Sequence, residues 1–376
     1  MTSSMLAAVW ERPGEPLRLE EIRRPVPGAG EALVRVDACG VCHTDLHVMK
    51  GEVAFPAPAV LGHEVSGEVV ELGPGVTGER IAVGGQVVGA FVMPCGNCPA
   101  CGRGRDDLCA AFFAQNRLRG VLYDGTTRLH RTDGRPLAMY SMGGFAEYAV
   151  VPVTALTPLP AGLDPEAAAV LGCAGLTAWG AVRNAARLQP GETVVVVAVG
   201  GVGSSLVQLA KDQGAATVVA VDVDDEKLAG AGRLGADHLV NSRTSDPVAA
   251  VRDLLGGGAD VAFEALGLPQ TFEEALRMVG DGGRMVAVGI AAGAATAAVE
   301  ITPLVRRGVQ ITGSFGARTR TDLPAVVERA AAGALSVTDT VTRRYPLTDI
   351  EQAFTDLRAG RIQGRAVVTP GAAARP

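Results

Sequence analysis

Hydrophobic and polar positions fall into two patterns along this chain. Up to about residue 170, short apolar runs are broken by Gly and Pro: LAAVW, ALVRVDA, SGEVVEL, QVVGAFV and FAEYAVV. Runs of that length between turn residues predict β-strands. From about 172 to 314 the period alternates. The β-branched runs TVVVVA (193–198), TVVAVD (217–222), HLV (238–240), DVAFEA (260–265), RMVAVG (284–289) and VQITG (309–313) are separated by helical stretches such as VGSSLVQLAKDQG and PQTFEEALRMVG. Alternating strands and helices predict a doubly wound parallel sheet, so the fold class is α/β with a β-rich first domain. Beyond about 315, helical DLPAVVERAAAG and IEQAFTDLRAG precede a last strand, GRAVVTP. The small apolar run 291–300 reads as a loop or an edge, and no solenoid repeat is present.

Composition narrows the picture. The 376 residues suffice for about two domains. With 48% hydrophobic and 20% charged residues the chain can bury a large core and is not disordered. A formal net charge of −6 argues against nucleic acid as a partner, since neutralising phosphates requires a basic surface. The N-terminus has no basic run followed by an apolar core, and no apolar stretch reaches the roughly 18 residues of a membrane span. The chain is therefore expected in the cytoplasm, away from membranes, with reduced thiols.

That expectation bears on the seven cysteines. Residues 95–109 read CGNCPACGRGRDDLC, placing Cys95, Cys98, Cys101 and Cys109 at the spacing C-x2-C-x2-C-x7-C. In a reducing compartment such a cluster binds metal rather than forming disulfides. Four thiolates make a closed tetrahedral zinc site with no open position, hence a structural one.

The first strand of the alternating half runs into AVGGVG (198–203), a G-x-G-x-x-G pattern whose first glycine is replaced by Ala198. The replacement is harmless if that residue keeps φ below zero. Gly200, Gly201 and Val202 would bring the backbone and the helix N-terminus to a pyrophosphate, and Gly203 would let the helix pack closely on the strand. The pattern alone is shared with a plain strand–turn–helix. Asp222 ends the second strand nineteen residues after Gly203, where a carboxylate can bind the adenosine ribose hydroxyls. It could equally cap the following helix. No Arg stands within four residues of it to receive a 2′-phosphate, so the cofactor reading is NAD rather than NADP.

Cys42, in CGVCHTDLH (39–47), His63, in GHE (62–64), and Cys173, in VLGCAGLTAWGAV, form a Cys, His, Cys set suited to a catalytic zinc with one open position. Spacing cannot assemble residues so far apart, and on pattern alone Cys173 reads as a buried free cysteine.

Taken together, GVCHTDLH, LGHEVSGEVVELGPGV, CGNCPACGRGRDDLC, LGCAGLTAWGAV, VGGVG and VDVDDEKL resemble the zinc-dependent medium-chain alcohol dehydrogenases, in family order from about residue 6 to 369. The segment LYDGTTRLHRTDGRPLAMYSMGGFAEY is similar to the longer insert of that family's class I and class III branches. The resemblance implies a GroES-like catalytic domain, residues 1–171 completed by 315–376, around a Rossmann NAD-binding domain, residues 172–314. It implies two zinc ions per chain: Cys42, His63 and Cys173 match the catalytic ligands, and Cys95, Cys98, Cys101 and Cys109 the structural ones. Glu64 matches a carboxylate behind the catalytic metal, Asp45 a partner of the histidine ligand, and Thr44 the hydroxyl that contacts the substrate oxygen. His43, Lys227, Val288 and Arg365 join Gly200, Gly201, Val202, Gly203 and Asp222 as implied cofactor contacts. Cys39 has no role in the pattern and reads as a core thiol.

The implied reaction is reversible hydride transfer between NAD and an alcohol, with zinc acidifying the hydroxyl. Matching pocket residues are Val53, Phe91, Met139, Tyr140, Ile290 and Phe315, mostly apolar, so a primary aliphatic or aromatic alcohol is expected. The rival activity within the resemblance is oxidation of a glutathione or mycothiol adduct of formaldehyde. That branch carries an acidic residue in the stretch where this chain has GEVAFPAPAV, and a Tyr where this chain has His47; Glu52 lies one position off. A non-enzymatic zinc module is a reading of another class. Thr44 and His47, three residues apart, are the expected path for the released proton, with His47 as terminal base. A homodimer or homotetramer is implied, pairing edge strands near VQITG (309–313).

Overall fold

The computed structural model describes residues 3–371. The chain divides into two compact units. The first runs through Leu176 and takes back Arg318–Ala331 and the chain from Val337; the second comprises Thr177–Ala317 and Ala332–Ser336. The switches expected at 171/172 and 314/315 thus fall a few residues later, and Cys173 with its flanks belongs to the first unit.

Two β-sheets build the first unit. A seven-stranded sheet is centred on the long strand Glu31–Val41, which pairs antiparallel with Val65–Leu72, Tyr148–Pro152 and Arg365–Thr369. The last of these is the final strand expected from GRAVVTP, so the chain's end completes the sheet that its beginning opened. A five-stranded sheet takes in Ser4–Trp10, Arg18–Arg23, Ala59–Val60, Leu129–His130 and Pro136–Met139. Ser4–Trp10 is buried throughout from Ala7 and Glu31–Val41 almost throughout, as strands covered on both faces require.

The second unit is a six-stranded, all-parallel sheet: β1 (Thr193–Val197), β2 (Thr217–Asp222), β3 (His238–Asn241), β4 (Ala259–Glu264), β5 (Val279–Ala287) and β6 (Gln310–Gly313), in the order 3-2-1-4-5-6. Helices Gly201–Asp212, Asp225–Arg233, Pro247–Leu254, Pro269–Met278 and Ile301–Arg306 form the connections. The β1 and β4 cores are uninterrupted Val, Ala and Phe, as a sheet covered on both faces requires. β5 begins at Val279, five residues before the run RMVAVG, because Val279 already pairs with Ala259; GDGG then bulges out at the register shift, and pairing resumes at Arg284 with Val261. Residues 290–300 are irregular, and the short helix Ile301–Arg306 after them was not predicted. VQITG does form the edge strand. Among the described residues, no helix is long and apolar enough to cross a membrane.

The turn from β1 into its helix departs from expectation. Ala198 sits at φ +69, in the left-handed region, so its replacement of glycine is not harmless. An L-residue there costs about 1–2 kcal/mol. Gly203 is needed: a Cβ there would lie 2.0 Å from the Ala198 carbonyl oxygen. A Cβ on Gly200 would meet no protein atom within 4 Å, so nothing in the chain itself demands glycine at that position. Ala198→Gly is expected to stabilise the second unit by roughly 1 kcal/mol, while Gly203→Ala destabilises it by about 1–3 kcal/mol. Denaturant midpoints of the two variants check both signs; an Ala198→Gly midpoint at or below wild type contradicts the strain.

Candidate active site and metal centres

The central strand of the first unit ends at Val41, and Cys42 caps the helix His43–Met49 that follows. Across the ladder, Cys39 pairs with Val65 and the Gly40 amide donates to the Glu64 carbonyl at 2.8 Å. That register sets His63 and Glu64 beside Cys42. Cys173 arrives by a close backbone approach: a Cβ on Gly172 would lie 1.9 Å from the Gly89 carbonyl oxygen, and the Phe91 amide donates to the Gly172 carbonyl at 3.1 Å. Ligand atoms of Cys42, His63, Glu64 and Cys173 all lie within 4.8 Å of one another. The structure thus joins three residues that sequence spacing could not.

The donor chemistry fits a metal. His63 is fully buried; its Nδ1 lies 3.1 Å from Asp45 Oδ1, and its Nε2 has no hydrogen-bond partner. The Gly62 amide donates to the same Asp45 oxygen at 3.1 Å, fixing the carboxylate. With Nδ1 bound to a carboxylate, Nε2 is the lone-pair nitrogen, the arrangement of a metal-ligating imidazole. A hydrogen bond from the Cys173 thiol, with Arg365 and His63 nearby, holds the Cys42 thiol well below its usual range despite burial. Burial pushes the Glu64 carboxyl up to about 7, against the pull of Arg365. Arg365 Nη2 pairs with Glu64 Oε1, both side chains buried. Arg365, expected as a cofactor contact, thus also reaches the metal cluster, and its Nε has no hydrogen-bond partner.

The second cluster is independent. The four thiols Cys95, Cys98, Cys101 and Cys109 lie within 4.8 Å of one another. Backbone amides point at sulfur: Cys95 N to Cys109 Sγ at 3.3 Å, Cys98 N to Cys95 Sγ at 3.4 Å, Phe112 N to Cys109 Sγ at 3.5 Å. The Cys101 amide, with other neighbours, lowers the Cys98 thiol to about 6, while burial pushes Cys101 up. Four sulfurs and no spare ligand make this a closed site. Arg320 ties it to the helix Thr319–Ala331, donating to the Cys101 carbonyl at 2.6 Å and to both oxygens of the buried Asp106 at 2.8–3.1 Å.

Around His63 lies an aromatic wall. Phe91 meets its ring edge-on at 4.9 Å and Tyr140 at 5.7 Å. Met139, buried, precedes Tyr140. Val53 is half-buried just past the helix. Ile290, 54% exposed, and Phe315 belong to the second unit. Sequence reasoning missed Phe55, edge-on to Tyr140 at 4.9 Å, and Arg117, whose guanidinium sits 4.8 Å over the Tyr140 ring with a buried, unpartnered Nη1. It also missed Asn116, whose amide binds backbone groups of Met139 and Ser141 at 2.9–3.3 Å. No local signal links residues 116 or 117 to 139–141; only the fold does.

Thr44 Oγ1 lies 3.5 Å from Cys42 Sγ. His47 shares its helix three residues on, and His43, the first helical residue, is exposed. The His47 Nδ1 pairs with Glu52, which also lies 3.8 Å from Lys50. Cys39 is a buried thiol raised by desolvation.

In the second unit Asp222 is buried, and its carboxylate serves the Gly-rich turn. Oδ2 accepts from Val199 N at 2.9 Å, and Oδ1 from Val223 N at 2.8 Å and Asp224 N at 3.2 Å. It does not cap the next helix; Asp224 does, accepting from Glu226 N and Lys227 N. Val288 donates to the Glu264 carbonyl at 2.8 Å, where β5 leaves the sheet. The open space over Gly200 and the helix N-terminus at Gly201 suit a pyrophosphate.

Comparison with known proteins agrees with this geometry. Residues 28–161 match the family described as alcohol dehydrogenase GroES-like domain, and residues 201–332 that described as zinc-binding dehydrogenase. The S-(hydroxymethyl)glutathione dehydrogenase of Synechocystis is 35% identical over 363 residues, covering 94% of this chain and 97% of that protein. The crystal structure of benzyl alcohol dehydrogenase from Acinetobacter calcoaceticus superposes with TM-score 0.91 at 31% identity, covering 98% of this chain and 99% of that one. A zinc-binding dehydrogenase from Sinorhizobium meliloti 1021, bound to NADP, superposes with TM-score 0.80 at 28% identity over 98% of this chain and 100% of that one. The match at this identity and coverage, over a GroES-like β-rich unit and a Rossmann-type parallel sheet, places the chain in the zinc-dependent medium-chain alcohol dehydrogenase family, as an NAD-dependent oxidoreductase.

Proposed function

We propose that this oxidoreductase interconverts a primary alcohol, aliphatic or aromatic, and its aldehyde. The carrying observation is the aromatic wall of Phe91 and Tyr140 against His63, extended by Phe55 on Tyr140. Such a wall favours an apolar carbon frame next to the ligand cluster.

Cys42, His63 and Cys173 would hold zinc, which supplies Lewis acidity to an oxygen there. Asp45 fixes the His63 tautomer and orientation. Glu64 and Arg365 offset each other's charge behind the ligands. The Thr44 hydroxyl hydrogen-bonds the substrate hydroxyl and passes its proton toward His47. In the second unit, the amides of Gly201–Gly203 receive the pyrophosphate, and Asp222 binds the adenosine ribose and excludes a 2′-phosphate. Cys95, Cys98, Cys101 and Cys109 would hold a second, structural zinc. Zinc thiolates require reduced cysteines, which supports a cytoplasmic location.

Arg117 favours a second reading. A guanidinium over Tyr140 with a buried, unpartnered Nη1 suits a carboxylate, which a glutathione adduct of formaldehyde carries. The name of the Synechocystis relative points the same way. Against it, Glu52 is already engaged by His47 and Lys50 and is not free for such a substrate. A homodimer or homotetramer through the edge strand β6 is also proposed: Ile311 on that strand, and Ile301 and Val305 on the helix before it, are exposed apolar residues.

Three outcomes test these readings. Metal analysis should find two zinc ions per chain; Cys95→Ala should lose one, and Cys42→Ser should abolish turnover while NAD still quenches protein fluorescence. Substantial activity in Cys42→Ser contradicts the ligand set. Asp222→Gly should weaken NAD and admit NADP, at some loss of thermal stability because Val199 N loses its partner; a wild type that prefers NADP contradicts the assignment. On a panel of alcohols against formaldehyde plus glutathione or mycothiol, benzyl and medium-chain alcohols should show the higher kcat/KM. A strict thiol requirement, lost in Arg117→Ala, would establish the second reading instead.

A further inference from the structure

The loop after the helix His43–Met49 is built back onto that helix. Lys50 closes it, donating to the Leu46 carbonyl at 3.0 Å, and Gly51 turns the chain at φ +77. Two successive amides then return to one acceptor: Glu52 N and Val53 N donate to the His47 carbonyl at 2.9 and 3.2 Å. The turn delivers the Glu52 carboxylate to His47 Nδ1, while Lys50 Nζ lies 3.8 Å from its other oxygen. Neither backbone bond requires an acid at 52, so the side-chain contact is a separate feature of the site.

We propose that Glu52 is a positioning residue for His47, fixing the imidazole with Nδ1–H on the carboxylate and the Nε2 lone pair free to take the proton of alcohol oxidation. This rests on the alcohol dehydrogenase reading above, in which His47 is the terminal base. A neutral imidazole presents a lone pair at only one nitrogen, and what the other nitrogen bonds decides which. Without a partner at Nδ1, the half-exposed ring can rotate and change tautomer, and some of these states present an N–H where an acceptor is needed. Thr44, at i−3, shares the helix face.

The proton bookkeeping closes. NAD, when bound, would supply the acceptor for the substrate's C–H electron pair as hydride. The substrate O–H proton passes to the Thr44 hydroxyl as that hydroxyl gives its own proton onward. A new N–H bond forms at His47 Nε2, and solvent removes that proton afterwards. Glu52 stays ionised throughout: the hydrogen bond from His47 and the charge of Lys50 hold its carboxyl below the usual range.

The test compares the zinc-loaded full-length wild type with Glu52→Ala, Glu52→Gln, His47→Gln and the double variant His47→Gln/Glu52→Ala, in alcohol oxidation at pH 7 with saturating NAD. Replacing partners that orient a functional histidine costs 10–100-fold, and at this half-exposed position about tenfold in kcat is expected for Glu52→Ala. Glu52→Gln, whose amide oxygen still accepts from Nδ1–H, should fall between that and wild type. Glu52→Ala should cost nothing further in the His47→Gln background. Added imidazole buffer, acting as an external base, should restore both single variants. Ring 15N shifts should show Nδ1–H at His47 in wild type and a tautomer mixture in Glu52→Ala. If His47→Gln is impaired and Glu52→Ala matches wild type, Glu52 is idle and this proposal falls with the relay intact. If the two losses add, or imidazole does not rescue Glu52→Ala, its role is structural and the proposal also falls. If His47→Gln itself matches wild type, the relay reading fails and takes this proposal with it. Should Glu52→Ala not fold, Glu52→Gln and the 15N tautomer of His47 in wild type decide the matter.

Discussion

The buried contact between His63 and Asp45 organises the catalytic unit. Both side chains are fully buried, and burying an imidazole and a carboxylate is tolerable only when each is partnered. Asp45 takes Nδ1 and the Gly62 amide, leaving Nε2 facing the thiols of Cys42 and Cys173 with no protein donor. A cluster of two thiols, an imidazole lone pair and a nearby carboxylate has acceptors in excess. Arg365 answers part of that on Glu64, and a dication answers the rest. The long strand, the helix it caps and the Gly172 contact serve to hold those groups within a few ångströms.

The two metal clusters show how the same residue type serves two ends. Around the four-cysteine loop, backbone amides donate to sulfur, every ligand position is filled, and Arg320 with Asp106 fastens the loop to a helix from the chain's far end. Around His63 the fourth partner is a carboxylate already paired with arginine, and the wall beside it is aromatic. The first arrangement holds a lobe in place, and the second leaves room for chemistry.

The second unit tolerates a local cost at its turn. Ala198 adopts a backbone conformation that favours glycine, held there by its bond to the Val221 carbonyl at 2.8 Å and by the carboxylate of Asp222 on Val199. Asp222 therefore orders the turn as well as serving the cofactor role proposed for it, and a substitution made to alter cofactor choice also removes an acceptor for the turn amides.

Much was legible in the chain alone. Period and β-branched content mark the parallel sheet and its six strands, because a sheet buried on both faces must be apolar throughout. The four clustered cysteines declare a closed metal site, because their spacing is local and a metal site needs only local geometry. The Gly-rich turn and Asp222 lie within one strand–helix–strand unit and are equally local. What the sequence could not settle is whatever depends on residues far apart in the chain. Cys173 reached Cys42 and His63 through a backbone approach possible only at Gly172. Arg365 proved to sit on Glu64, Arg117 and Phe55 on Tyr140, and Asp224 rather than Asp222 to cap the helix. The sign of φ at Ala198 was likewise decided by the turn's closure and not by the residue. Side-chain partners across the fold are chosen by strand register and packing, and these are properties of the assembled sheet rather than of any stretch of sequence.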